Sequence, residues 1–127
     1  MYSANPYNAY KQNSINMSSK ENLLLMLVDA TVRCTKLARK AIESKDVQLA
    51  HKELTRVQDI YTELMVTLDI NGGDFTKDLF NLYGFIKDRL SVANMKKDVA
   101  IIDEVLPLIE EIRNMWHEAN KLAVSAK

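Results

Sequence analysis

The sequence predicts an all-α protein: an antiparallel up-down four-helix bundle with a detachable N-terminal tail. Three observations carry this expectation. Apolar residues recur three and four apart through four successive stretches, the period of a helix face. The breaks between the stretches are short, so neighbouring helices should run antiparallel. No stretch alternates apolar and polar residues as a half-buried strand would, and no repeat of fixed period or low-complexity segment is visible.

The tail comprises residues 1–17. It contains Asn5-Pro6-Tyr7-Asn8-Ala9-Tyr10 and then Lys11-Gln12-Asn13-Ser14, with two tyrosines three apart, a proline, many amides and no acidic residue. Such a segment is apolar enough to dock on a groove and polar enough to leave it. Its presence before four amphipathic helices points to a binding module whose groove is covered until a partner arrives.

The bundle comprises residues 18–127. The first helix, about 19–43, should start at Ser18-Ser19-Lys20-Glu21, where Ser18 and Glu21 fit a capping box. Leu23, Leu27, Ala30, Cys34, Leu37 and Ala41 then recur at helical spacing. Asp46 is a suitable N-cap for the second helix, about 46–68, which carries Leu49, Ala50, Leu54, Val57, Ile60, Tyr61, Leu64 and Leu68. Asn71-Gly72-Gly73 is the strongest breaker in the chain. The third helix, about 76–94, places Leu79, Leu82, Tyr83, Ile86, Leu90 and Ala93 on one face. Asp98 caps the fourth, about 98–121, whose main face is Ile102, Val105, Leu106, Ile109 and Trp116.

Pro107 interrupts this pattern, because an internal proline removes a backbone hydrogen bond and clashes with the preceding turn, at about 3 kcal/mol. Either the helix bends around Asp103 to Leu106, or the segment from Asp98 is a separate short helix. Continuation of the apolar spacing across Pro107 favours one kinked helix.

Composition narrows the function. The chain has 127 residues, 47% of them apolar, with few glycines and prolines, which is enough for one domain with a modest core. Lys+Arg and Asp+Glu are both 17, so there is no basic excess of the kind nucleic-acid binders carry. No apolar run approaches the ~20 residues needed to span a bilayer, so membrane insertion is not expected. The N-terminus lacks a basic region followed by an apolar core, and the single Cys34 cannot form an internal disulfide. The expected location is the reducing cytoplasm.

The apolar surface exceeds what one core needs. On a helical wheel, Phe85 and Val92 lie well away from the main face of the third helix. In the fourth, Ile101, Leu108, Ile112 and Met115 form a second stripe beside Ile102, Ile109 and Trp116. The plain account is a wide core whose flanks these residues occupy. The sharper account is a second buried surface for a partner, a second copy or the tail. Each such side chain, if buried, contributes about 1.5–3 kcal/mol, and the binding mode would be helix-in-groove. Leu108→Asp should then weaken binding and leave the fold largely intact.

Catalytic and cofactor chemistry is not expected. His51 is preceded at three residues by Gln48, and His117 by Asn114, where a carboxylate-bridged di-metal bundle needs glutamates. No Gly-Lys-Ser/Thr follows Asn71-Gly72-Gly73, and an EF-hand register from Asp69 puts Phe80 at the closing carboxylate. Cys34, on the apolar face of the first helix, reads as a buried structural thiol. The spacing of Asp29, Asp88 and Arg89 marks them as ordinary charges, most of them solvated.

Along nearly its whole length the chain resembles the FliS family of flagellar export chaperones. The resemblance rests on Asn5-Pro6-Tyr7-Asn8-Ala9-Tyr10 with Asn13-Ser14, on Leu24-Leu25-Met26-Leu27 followed by Asp29, and on Asn71-Gly72-Gly73-Asp74 followed by Leu79, Leu82-Tyr83, Arg89-Leu90 and Ala93-Asn94. It continues through Glu104-Val105, Ile112-Arg113 and Trp116. Where the family usually has Tyr-Asp-Gly, this chain has Val28-Asp29-Ala30, so a helix crossing at Ala30 would be slightly wider.

The resemblance implies a cytoplasmic helical bundle that binds the disordered C-terminal segment of flagellin, keeps it unpolymerised and presents it for export. It implies that the N-terminal segment, with Tyr7 and Tyr10, lies over part of the binding surface and moves when flagellin binds. Export-gate components are further candidate partners. The candidate contact residues are Tyr7, Tyr10, Phe85, Val92, Ile101, Leu108, Ile112 and Met115, with no cofactor and no metal. The rival expectation is a structural or regulatory adaptor that self-associates, as a weak homodimer, through the same stripes.

Overall fold

The computed structural model describes the backbone of residues 6–69 and 71–125, and the side chains of residues 20–69 and 71–125. Four helices follow one another: α1 (Pro6–Glu43), α2 (Val47–Thr67), α3 (Asp74–Lys96) and α4 (Val99–Ser125). α1 packs on α2 and α4, α2 on α3, and α3 on α4, with no close backbone approach across the diagonal among the described residues. The helices therefore stand at the corners of a square. Side-chain pairs establish that neighbours are antiparallel: Arg39 meets Asp103 and Asp29 meets His117 between α1 and α4, while Arg89 meets Glu104 and Tyr83 meets Trp116 between α3 and α4.

α1 is longer than the sequence reading allowed. It begins at Pro6, not at Ser18 or Ser19, and runs through the expected capping box. Proline suits the first helical position because its φ is preset and its missing N–H would be unpaired there anyway. Between Pro6 and Ser18 no further proline or glycine interrupts the run. Tyr7 and Tyr10 thus fall in the first turns of α1, and their side chains lie outside the described residues.

The connections α1–α2 and α3–α4 are built alike. Both read Ala-x-x-x-Lys-Asp-Val: Ala41 to Val47 and Ala93 to Val99. In each, the lysine adopts the left-handed conformation, with φ 62° at Lys45 and 52° at Lys97. In each, the aspartate N–H reaches back to the buried alanine carbonyl, Asp46 to Ala41 at 2.7 Å and Asp98 to Ala93 at 3.2 Å, the closing bond of a Schellman motif. The same aspartates then cap the next helix: the Asp46 carboxylate accepts from the Leu49 N–H at 3.1 Å, and that of Asp98 from the Ala100 N–H at 2.9 Å. One short motif thus ends one helix, reverses the chain and starts the next.

The core runs through the centre of the square. α2 and α3 supply the expected Ala50, Leu54, Val57, Tyr61 and Leu64, and Leu79, Tyr83, Ile86, Leu90 and Ala93. α1 departs from expectation. Leu23 and Leu37 are exposed, and its buried face is instead Val28, Thr31, Val32, Thr35 and Ala38 beside Ala30, Cys34 and Ala41. Small residues here admit α2 and α4 on adjoining sides. The Thr31 and Thr35 hydroxyls are satisfied by donating to the Val28 and Thr31 carbonyls, both at 2.6 Å.

α4 is a single helix through Pro107. The carbonyl deprived of its donor belongs to Asp103, which faces solvent and can be hydrated. α4 touches both α1 and α3, and this explains its double stripe. Ile101 and Ile112, expected on a partner surface, are core residues with 8% and 3% exposure. A corner helix buries a wide arc against two neighbours, so the second stripe is largely the side turned to the other neighbour.

Candidate binding grooves

Among the described residues, three surface grooves open at one end of the bundle, where the N-terminal half of α1, the end of α2, the start of α3 and the C-terminal half of α4 come together. The α3–α4 groove has a volume of about 310 Å³ and is lined by Phe75, Asp78, Leu79, Leu82, Glu111, Ile112 and Met115. The α1–α2 groove, about 410 Å³, lies among Leu23, Leu24, Leu27, Leu64 and Thr67, with Lys20 and Glu63 at its edges. A smaller α1–α4 groove of about 160 Å³ is formed by Leu24, Leu25, Trp116 and Ala119 with Glu21, Asn120 and Ala123. Leu23, Met26, Val66, Phe75, Leu122 and Val124 are exposed at the same end. Apolar side chains gathered on one end of a domain mark an interaction surface, whereas scattered ones do not.

The sequence-derived candidates divide. Ile112 and Met115 line the α3–α4 groove, Ile112 from its buried floor. Phe85 is 47% exposed, and Val92 and Leu108 are half-buried against the core; none of the three lines any of the three grooves described above. Half-burial at Leu108 means that Leu108→Asp would disturb packing, contrary to the expectation of an intact fold. Phe75, 61% exposed at the groove edge, was overlooked. Its signal was an aromatic residue directly after the Gly-Gly-Asp break, one position before the expected helix start.

Polar contacts frame the grooves. The Trp116 indole N–H donates to the Tyr83 hydroxyl at 2.8 Å, and the Tyr83 ring lies tilted against that of Tyr61 with centroids 5.7 Å apart. Burial raises both phenols above their usual range; the Trp116 hydrogen bond eases this at Tyr83. The Tyr61 hydroxyl is buried without a partner in hydrogen-bonding geometry among the described residues. Thr31 beside it eases the Tyr61 shift slightly, but the Thr31 proton is committed to Val28.

Asp29 and Arg89, expected as ordinary charges, stay partly exposed and also bridge helices. Asp29 meets His117 Nε2 at 2.7 Å, and Arg89 grips Glu104 through two nitrogens at 3.1 and 3.2 Å. His51 Nδ1 lies 3.0 Å from the Asn94 amide nitrogen. Glu53, which the sequence did not single out, is buried beside Cys34. Burial and then Glu53 raise the Cys34 thiol, partly offset by Arg56 and Arg33. Among the described residues no group of three or more His, Cys, Asp or Glu side chains is placed to hold a metal ion, and no helix is long and apolar enough to cross a membrane.

A helical bundle that gathers three apolar grooves and six of the ten exposed large apolar side chains among its described residues at one end presents a surface suited to binding another protein. Residues 3–123 match the model of the family described as flagellar protein FliS, and the chain belongs to that family. It is 34% identical to the flagellar secretion chaperone FliS of Bacillus subtilis over 91% of this chain and 86% of that one. It is 30% identical to that of Salmonella typhimurium, covering 97% and 96%. A crystal structure of a bacterial flagellar chaperone shares the fold, with a TM-score of 0.74 at 18% identity over 91% of this chain and 94% of that chain.

Proposed function

We propose that this protein is a cytoplasmic export chaperone that binds the disordered C-terminal segment of flagellin. By masking that segment it prevents premature polymerisation and delivers the subunit for export. The observation that carries this reading is the open apolar α3–α4 groove, walled by Phe75, Leu79, Leu82, Ile112 and Met115, in a chain whose relatives are named flagellar secretion chaperones. An amphipathic helix folding onto the groove buries its own apolar face together with these side chains, and that gain offsets the ordering of a disordered client. The role is binding and release, with no catalytic step.

On this reading residues 1–17, with Tyr7 and Tyr10, cover part of the surface and give way to the client. Deleting residues through Asn13 should then speed peptide association. Unchanged kinetics would confine the two tyrosines to local packing.

The primary test is calorimetric titration with a peptide covering the C-terminal region of the host's flagellin. Saturable binding near equal stoichiometry with a negative heat-capacity change supports the chaperone reading. A folded protein that ignores high micromolar peptide, and sediments as a stable dimer, overturns it in favour of self-association.

A further inference from the structure

Three of the five acidic residues of α4 are paired with cations from the flanking helices. Asp103 takes Arg39 at 2.6 Å, Glu104 takes Arg89 at 3.1 Å, and Glu110 takes Lys36 at 3.5 Å. Glu111 and Glu118 have no such partner among the described residues, and of the two only Glu111 lines the α3–α4 groove. It stands one heptad beyond Glu104 on the same face, and the α3 position one heptad before Arg89 is Leu82. The α3–α4 seam is therefore closed by a two-pronged ion pair at one level. At the next it opens into the apolar groove, with Glu111 on one wall and Asp78 on the other. Both carboxylates are exposed, and neither has an ion-pair partner among the described residues. Neither has a lysine or arginine three or four residues away on its own helix: Asp78 has Asp74, Phe75, Asn81 and Leu82, and Glu111 has Pro107, Leu108, Asn114 and Met115.

We infer that the client helix seated in this groove carries a lysine or arginine beside its apolar stripe, which enters between Asp78 and Glu111 and supplies the cation that α3 lacks at this level. This inference rests on the chaperone reading and adds the chemistry of the client segment. The apolar walls hold the helix, and the carboxylate pair sets which register and which sequence are accepted. Charges at the edge of an interface act mainly on encounter and discrimination.

The test uses the full chain, its Asp78→Asn, Glu111→Gln double variant, and the flagellin C-terminal peptide, at 50 and 500 mM salt. Neutralisation should weaken binding about three- to tenfold at low salt, mostly through slower association, and should flatten the salt dependence. Replacing the matching lysine or arginine of the peptide by glutamine should cause a similar loss with the unaltered chain and little further loss with the variant. Thermal unfolding of the variant should match the parent, since both groups are exposed. Affinities within twofold of each other at both salts overturn the inference and leave the client reading standing. Failure of the unaltered chain to bind the peptide overturns both.

Discussion

The Trp116 indole N–H donates to the Tyr83 hydroxyl at 2.8 Å, so the only tryptophan of the chain ties α4 to α3 while also lining the α1–α4 groove. It is a built-in reporter. A client that extends from the α3–α4 groove over the α1–α4 groove should shift the tryptophan emission to shorter wavelength as the latter loses water. Titration of the unlabelled protein with flagellin peptide, followed by fluorescence, checks this, and an emission spectrum that stays constant through saturation means that the client leaves the α1–α4 groove uncovered.

Two adjacent tyrosines should respond oppositely to loss of the hydroxyl. Tyr83→Phe strands the Trp116 N–H and should cost about 0.5–1.5 kcal/mol. Tyr61→Phe removes a buried hydroxyl that has no partner in hydrogen-bonding geometry, and should leave stability unchanged or slightly raised. Urea unfolding of the two variants makes the comparison, and equal losses would mean that the Tyr61 hydroxyl is bonded in solution.

Groove wall and groove floor separate binding from folding. Phe75 is mostly exposed and Ile112 is buried. Phe75→Ser should weaken peptide affinity tenfold or more and shift stability by less than about 1 kcal/mol. Ile112→Asp should unfold the chain, because it places a carboxylate in the core. Circular dichroism and peptide titration together read both effects.

The turns carry conformational strain of opposite sign. Gly73 has φ 107° and ψ −170°, a region open essentially to glycine, so Gly73→Ala should cost about 1–3 kcal/mol. Lys45 is held at φ 62°, and Lys45→Gly should stabilise by a few tenths to about 1 kcal/mol. Thermal melts of both variants check the pair.

Stability should fall at alkaline pH. Burial raises Tyr61, Tyr83 and Cys34 above their ordinary values of 10.0, 10.0 and 9.0. Below those values both states keep their protons and the contribution is fully present. Above them the unfolded chain ionises first and binds fewer protons, so stability drops as pH rises toward the folded values. Urea midpoints should be flat up to about pH 8 and then decline, and Cys34 should react with thiol reagents only on unfolding.

Local rules decided much of this protein in advance. The 3.6-residue apolar period marked α2, α3 and α4 and most of their core residues. Asp46, Asp98 and the Asn71-Gly72-Gly73 break acted where the sequence placed them, because capping and turn chemistry involve only neighbours in the chain. The ordered motifs from Asn5 to Trp116 carried the family.

What needed the tertiary structure were the properties set by position within the square. A wheel shows that α4 is apolar over a wide arc. Only its contacts with both α1 and α3 assign Ile101 and Ile112 to the core and leave Phe75 and Met115 at an open groove. On α1, buried Thr31 and Thr35 displace exposed Leu23 and Leu37, because close packing favours small side chains wherever two helices approach. Arg89 and Asp29 read as ordinary charges, yet each has a partner on another helix, Glu104 on the next one and His117 at the far end of the chain. The shortage of a cation beside Asp78 and Glu111 exists only once α3 and α4 stand side by side.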